Sequence, residues 1–391
     1  MTISDTVRTT SSGNAIVDGP LTDVPSGKAI VPARAYTGKA EFEHEQKTIF
    51  SSSWAWAGYA HWVPENGDVK PLKVGGHPLL LVRDDDGGIR VFHNSCRHRG
   101  MALTEEPIQV TQRIQCAYHC WSFNLDGSLA AAPYYKRERR SQPDTEVKDK
   151  LGLLPVASAV WAGMVFVDLG ETGTDFFAEV EPLIQRWDHV DLSRLAVAEE
   201  RQYDIDANWK LVVENFLDFY HLPFIHPQVG PVSASLDVDD VVLSNNIVGG
   251  SYPRGAAGKA KKTEDQLPFL GDVPEDRIER QDIFCVFPNA LVFLEADWFQ
   301  VIGYEPLAPG LTREHMAIFV DESAAGEEFA ASRKALAEVL YEVNEQDMPI
   351  LHKLQLGRSS KGSDQTNLVS YWDQITAHFQ SIVARKAGYD A

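Results

Sequence analysis

Two short Cys/His pairs constrain this chain more than any other feature. Cys96-Arg97-His98 reads C-x-H, and after seventeen residues Cys116-Ala117-Tyr118-His119 reads C-x2-H. Each pair lies beside a predicted strand, so each can form the tip of a loop. Two such tips facing each other would present two thiolates and two imidazoles, a set that plain core packing explains poorly. Zinc accepts those donors. A [2Fe–2S] centre accepts them too, with both thiolates on one iron and both imidazoles on the other. Zinc fingers mostly space their ligands by two residues or more, so the single-residue gap in C-x-H favours iron and sulfide. Neutral imidazoles raise the reduction potential above that of an all-Cys cluster, which suits single-electron transfer.

A second set of donors lies further along. Asn208-Trp209-Lys210 opens a predicted helix running to His221, where Pro223 should end it for want of an N–H. His226 follows before Pro227. Five residues on an unbroken helix would set the two His about 140° apart, so the break is what lets both reach one ion. A facial triad for non-haem Fe(II) also needs a carboxylate. The long helix predicted over Glu327–Leu356 supplies a candidate. Its apolar stripe runs Leu336, Leu340, Val343, position 347, Leu351 and Leu354, and position 347 is Asp. A carboxylate on a buried face needs a cation or a metal. Asp218, one turn before His221, is placed to hydrogen-bond that imidazole without touching the ion, and Asn215 is placed to line the same pocket.

The stretches CRHRG and CAYHCWSF resemble the motifs of Rieske oxygenases, and NWKLVVENFLDFYHLPFIHP resembles the D/E-x2-H-x4-H iron motif of their catalytic (alpha) subunits. EQDMPILHKLQLG resembles their third-ligand helix. One position departs: the family usually has Gly directly after the second cluster His, and this chain has Cys120. The resemblance implies an α+β chain, a small all-β Rieske [2Fe–2S] domain followed by a helix-grip (START-like) catalytic domain with an antiparallel sheet and a long C-terminal helix. Boundaries are expected at 1–44 (N-terminal tail and helix), 45–169 (Rieske domain) and 170–391 (mononuclear iron domain). It implies Cys96, His98, Cys116 and His119 as cluster ligands, His221, His226 and Asp347 as ligands of mononuclear Fe(II), and Asp218 and Asn215 as catalytic residues. It further implies O2 as co-substrate, a flavin/iron–sulfur reductase with or without a ferredoxin as partner, and a homotrimer.

The remaining sequence narrows the function. A net charge of −20 argues against nucleic acid or an anionic membrane as the main partner. It would suit a basic redox partner, although solubility alone explains it. No apolar run approaches the roughly 20 residues of a membrane span. Met1 to Lys28 lacks an apolar core and reads as a mobile tail, not a signal peptide. Four cysteines argue against a disulfide framework and for the cytoplasm, with Cys285 read as a core residue in a strand. Val232–Glu279 is weakly patterned and reads in part as a flap. Phe284, Phe287, Phe293, Trp298 and Phe299 are candidate pocket walls, about half of which strand alternation should turn away. Such walls fit an aromatic substrate, and the family resemblance implies that Asp in place of Glu at 218 leans toward the aromatic-ring branch, with aromatic compound catabolism by hydroxylation or demethylation. They also fit a quaternary ammonium substrate of the betaine, carnitine or choline kind. A non-catalytic Rieske electron-transfer protein is the alternative of another class.

Overall fold

The computed structural model describes residues 7–9, 15–17, 27–226, 239–244, 246–253, 267–369 and 372–389. Two compact units emerge, one formed by 50–172 and the other by 1–49 together with 173–391. No helix among the described residues is long and apolar enough to cross a membrane.

Unit 50–172 is built from short antiparallel strands. Seven of them pair in the order Ala55–Tyr59, Met164–Asp168, Pro155–Trp161, Ile89–His93, His77–Arg83, Asp68–Val74, Ile108–Gln109. A three-stranded sheet, Leu129–Ala131, Ser122–Asn124 and Arg113–Gln115, carries the second Cys/His loop. The hairpin predicted at Asp126-Gly127 is present. Gly127 takes φ +86°, and the Asp126 carboxylate accepts from the Ser128 N–H at 2.8 Å. Leu80, Val82, Phe92, Phe123, Leu125 and Leu129 form the core, and the buried Cys96 and Cys116 sit within it.

The second unit is a nine-stranded antiparallel sheet backed by helices, an α+β arrangement. Six of its strands run Ile247–Pro253, Arg280–Val286, Ala290–Leu294, Phe299–Ala308, Leu311–Asp321 and Leu195–Ile205 in spatial order, the last at the edge. The expected long helix is Ala330–Arg358, and a last helix spans Gln374–Ala387. The region read as a mobile tail contributes strands Val7–Thr9 and Ala15–Val17 to this sheet. Within the expected flap, strands Asp239–Ser244 and Ile247–Pro253 form a hairpin, while 227–238 and 254–266 lie outside the described residues.

The helix Trp209–Leu217 is the pivot of this unit. Asn208 caps it, accepting from the Lys210 N–H at 3.1 Å and donating through its side chain to Pro309 O at 2.7 Å. Lys210 is fully buried and pairs with Glu45 on the N-terminal helix Lys39–Thr48 at 2.7 Å, while Trp209 donates to the same carboxylate at 3.0 Å. One turn on, the Tyr36 hydroxyl donates to Glu214 at 2.5 Å. A buried pair is poor evidence of net stability, but removing one partner costs about 3–5 kcal/mol. The N-terminal helices thus fix the angle of the helix that leads to His221.

Candidate metal centres

The two loops of unit 50–172 share one backbone plan. Cys96 N–H donates to Met101 O at 2.8 Å, and Gly100 N–H donates back to Cys96 O at 2.9 Å. Cys116 N–H donates to Trp121 O at 2.8 Å, and Cys120 N–H donates back to Cys116 O at 3.0 Å. Gly100 and Cys120 are therefore equivalent, and both adopt the left-handed conformation, at φ +74° and +56°. A side chain there costs on the order of 1 kcal/mol relative to glycine, which gives a physical reason for glycine at this position in the family.

The four donors divide by exposure. Cys96 and Cys116 are buried, whereas His98 and His119 are exposed. The two imidazole rings lie 4.6 Å apart, and Trp121 stacks on His98 at 5.0 Å. Burial pushes the Cys96 thiol above its usual range, the N–H groups of His98 and Arg99 pull it down, and neighbouring Cys116 raises it again. Partial desolvation, then His119 and Arg99, hold His98 below the ordinary imidazole range. Two adjacent buried sulfurs and two neighbouring imidazoles fit a mixed-ligand [2Fe–2S] centre.

In the other unit His221, His226 and Asp347 come together, their donor atoms within 4.8 Å of one another. The helix expected to reach His221 stops at Leu217. Asp218 is extended at φ −93°, ψ 109°, so it reaches His221 through a bend and not along a helix face. Pro223 lies in the first turn of a new single-turn helix, Leu222–Ile225, in keeping with proline's fitness there. His221 and His226 are the N-cap and C-cap of that turn. The five-residue spacing therefore spans one complete short helix.

The Nε2 atoms of both imidazoles face Asp347, at 3.6 Å for His221 and 3.0 Å for His226. None of these three atoms has a hydrogen-bond partner of acceptable geometry, and all are buried. They gather within reach of one ion without pairing with each other, as a shared ligand set does. Behind them, Asp218 Oδ2 lies 3.4 Å from His221 Nδ1, and Gln346 Oε1 lies 2.7 Å from His226 Nδ1. Burial pulls His226 down, but the adjacent Asp347 carboxylate, aided by Gln346, outweighs it, and the net shift is upward. Beneath the triad, fully buried Glu314 accepts from Asn344 Nδ2 at 2.8 Å. Desolvation pushes its carboxyl up to about 8, Asn344 opposes, and the Asp347 charge adds to the rise.

A cavity of about 390 Å³ opens from the triad. Phe216 and Phe219 line it, pairing with Phe293 and Tyr252 at ring separations of 5.7 and 5.1 Å, and Trp298 adds a fifth ring. Alternation sorts the predicted walls as expected: Phe293 and Trp298 face the cavity. Phe284 and Phe299 pack on Trp187, and Phe287 packs on Trp209 and Phe379. The stripe Leu336, Leu340 and Val343 lines the cavity together with Asn344 and Asp347, and Ala337, Tyr341 and Leu351 are the other buried residues of the helix. Leu354 is exposed. Asn215 also lines the cavity, and its buried Nδ2 has no hydrogen-bond partner. The cavity's described lining contains the carboxylates Glu295 and Glu342 as well as Asp347, and no Lys or Arg. Sequence reasoning missed Gln346 and Glu314. Each is polar in an unremarkable context, and only the fold brings it to the triad.

Profiles of known families match both units. The Rieske [2Fe–2S] domain matches residues 53–150, and the ring hydroxylating alpha subunit (catalytic domain) matches 192–388, half of the chain. The glycine betaine monooxygenase oxygenase subunit of Pseudomonas aeruginosa is 31% identical over 214 residues, covering 54% of this chain and 47% of that protein. The chain thus spans about half the length of this relative. A quaternary ammonium Rieske monooxygenase with L-carnitine bound superposes with a TM-score of 0.73 at 23% identity, covering 93% of this chain and 96% of that one. Naphthalene 1,2-dioxygenase from Rhodococcus sp. superposes equally well, with a TM-score of 0.73 at 19% identity and coverage of 92% and 93%. At those identities the likeness speaks for the fold alone. Cluster loops in one unit, a two-His-one-carboxylate convergence in the other, and profile matches to both domains place the chain in the ring-hydroxylating alpha-subunit family of Rieske oxygenases, whose cofactors are a Rieske [2Fe–2S] cluster and a mononuclear iron.

Proposed function

We propose that this chain is the terminal oxygenase component that oxidises a small organic cation of the quaternary ammonium class. The cavity lining carries this reading. An arene carboxylate bound there would bury its charge beside Glu295, Glu342 and Asp347, with no Lys or Arg among the described lining residues to balance it. An ammonium head against Phe216, Phe219, Tyr252, Phe293 and Trp298 gains cation–π attraction, worth about 2 kcal/mol or more when desolvated. The betaine and carnitine relatives agree, and the aromatic-substrate expectation gives way to its alternative.

In this reading Cys96, Cys116, His98 and His119 hold the cluster, while His221, His226 and Asp347 hold the iron. When bound, the cluster supplies single electrons and the iron activates O2. Asp218 orients the His221 imidazole through its carboxylate, whose Oδ2 lies 3.4 Å from Nδ1. Asn215 offers its unpartnered amide N–H to a substrate oxygen, and the aromatic walls exclude water and orient the head group. A flavin/iron–sulfur reductase, acting directly or through a ferredoxin, supplies the electrons, and the assembly is a homotrimer.

The test is oxygen and NADH consumption with a reconstituted reductase over betaines, choline, carnitine, benzoates and aryl methyl ethers, with products identified by mass spectrometry. Substrate-coupled turnover of the cations supports the reading. Turnover confined to the aromatic acids or ethers refutes it.

A further inference from the structure

His226 is held by a chain of polar contacts that reaches back to the cavity wall. Gln346 Nε2 lies 3.5 Å from Glu342 Oε1, and Gln346 Oε1 lies 2.7 Å from His226 Nδ1. A carboxylate only accepts, so the amide must turn its NH2 toward Glu342 and its oxygen toward the imidazole. An amide oxygen also only accepts, so Nδ1 must carry the proton. Nε2 is then the ring nitrogen left to bind a metal, and it faces Asp347 Oδ1 at 3.0 Å. No hydrogen bond of acceptable geometry joins those two buried atoms, which leaves both to a shared cation.

We infer that Gln346 is a positioning residue: its side-chain oxygen sets the tautomer and ring angle of His226, so that Nε2 and the Asp347 carboxylate are held as a bidentate seat for a divalent metal. The inference rests on the triad being the metal site, and it adds a residue that neither the sequence motifs nor the family match singles out. The two imidazoles are backed unequally. His221 has an anionic neighbour, Asp218, at 3.4 Å and without hydrogen-bond alignment. His226 has a neutral amide in firm contact and is itself wholly buried. His226 is therefore the ligand whose geometry is set before metal arrives. Gln346 adjoins Asp347 on the long helix, so one rigid element carries a ligand and the group that aims another.

The test uses the full chain with its [2Fe–2S] cluster intact and the mononuclear site emptied by chelation, titrated with Co(II) and followed by its visible absorption. Gln346→Met keeps the side-chain length and removes the acceptor. Gln346→Glu keeps the acceptor. Loss of a partner behind a metal-bound His typically costs 10–100-fold in affinity. The expected result is a Co(II) Kd raised by about that factor in Gln346→Met, an unchanged thermal midpoint of the metal-depleted protein, and an affinity in Gln346→Glu at least as tight as the parent's. Unchanged affinity in Gln346→Met overturns the assignment. So does an equal loss in both variants accompanied by a lowered thermal midpoint, which would mark a packing role. A parent chain taking up no Co(II) would overturn the metal reading itself, an outcome separate from either of these.

Discussion

The two metal-donor sets are built on opposite plans. In unit 50–172 four donors come from two copies of one local loop, each closed by the same pair of backbone hydrogen bonds. In the other unit three donors come from a single-turn helix and a long helix about 120 residues further on. The first set leaves its imidazoles exposed and buries its sulfurs, and the second buries every donor atom. Exposed imidazoles suit a centre that exchanges electrons across a surface. Buried donors suit an ion whose chemistry must exclude water. A loop closed on itself tolerates change elsewhere in the chain, whereas a site assembled across the fold depends on every contact that orients its elements.

If the two sets are independent, they separate under mutation. His226→Ala should abolish turnover and lower iron from about three to about two per chain, with sulfide staying near two. Cys96→Ser should remove the sulfide and the cluster's electron-paramagnetic signature, yet leave Co(II) binding at the triad intact. Loss of both centres from either change would break the comparison.

Asp218 sharpens it next. It adjoins His221 but stands outside the convergence of donor atoms. Asp218→Ala should keep both iron centres by metal analysis while turnover falls by roughly 10–100-fold or more. Full activity in that variant would end its assigned role.

A smaller effect tests how dry the triad's surroundings are. Glu314 is raised to about 8, so between the ordinary carboxylate range and 8 the folded chain holds a proton that the unfolded chain has released. Its contribution to stability is then complete at low pH and is lost as pH rises from about 5 to about 8, with a slope of at most about 1.4 kcal/mol per pH unit. Glu314→Gln should flatten that decline. Urea unfolding of the metal-depleted protein across this range measures it, and parallel pH profiles for parent and variant would show that Glu314 ionises freely.

The smallest effect belongs to the local loops. Cys120→Gly relieves a left-handed side chain at a cost in unfolded-state entropy, and the net gain should be roughly 0.5 kcal/mol. The cluster signature should not change, because Cys120 is exposed and lies outside the four donors. Lost sulfide in that variant would make Cys120 part of the centre.

Much of this was legible in advance. The strands Leu195–Ile205 and Ala290–Leu294 fall where alternation and turn residues put them, and the long helix is displaced by only a few residues. Seven candidate donors follow from residue type, spacing and the family resemblance together. The helix before His221 was read as too long, since nothing in Phe216-Leu217-Asp218-Phe219 forbids another turn. The extended Asp218 is imposed by the two His capping the next short helix. Leu336, Leu340 and Val343 were read as an apolar stripe. A helical stripe reports that a face meets something apolar, and an empty cavity satisfies that as well as a packed core does.

Residue type and near-neighbour spacing pointed to the two cluster loops, the His221/His226 pair, the turns and most strands, because those features act within a few residues. Gln346 behind His226, Glu314 under Asp347, the Glu45–Lys210 lock and the cation-free lining of the cavity were decided by the tertiary structure alone. Each depends on groups far apart in the chain, and their partners are chosen only when the sheet and helices close and buried polar atoms must find one another.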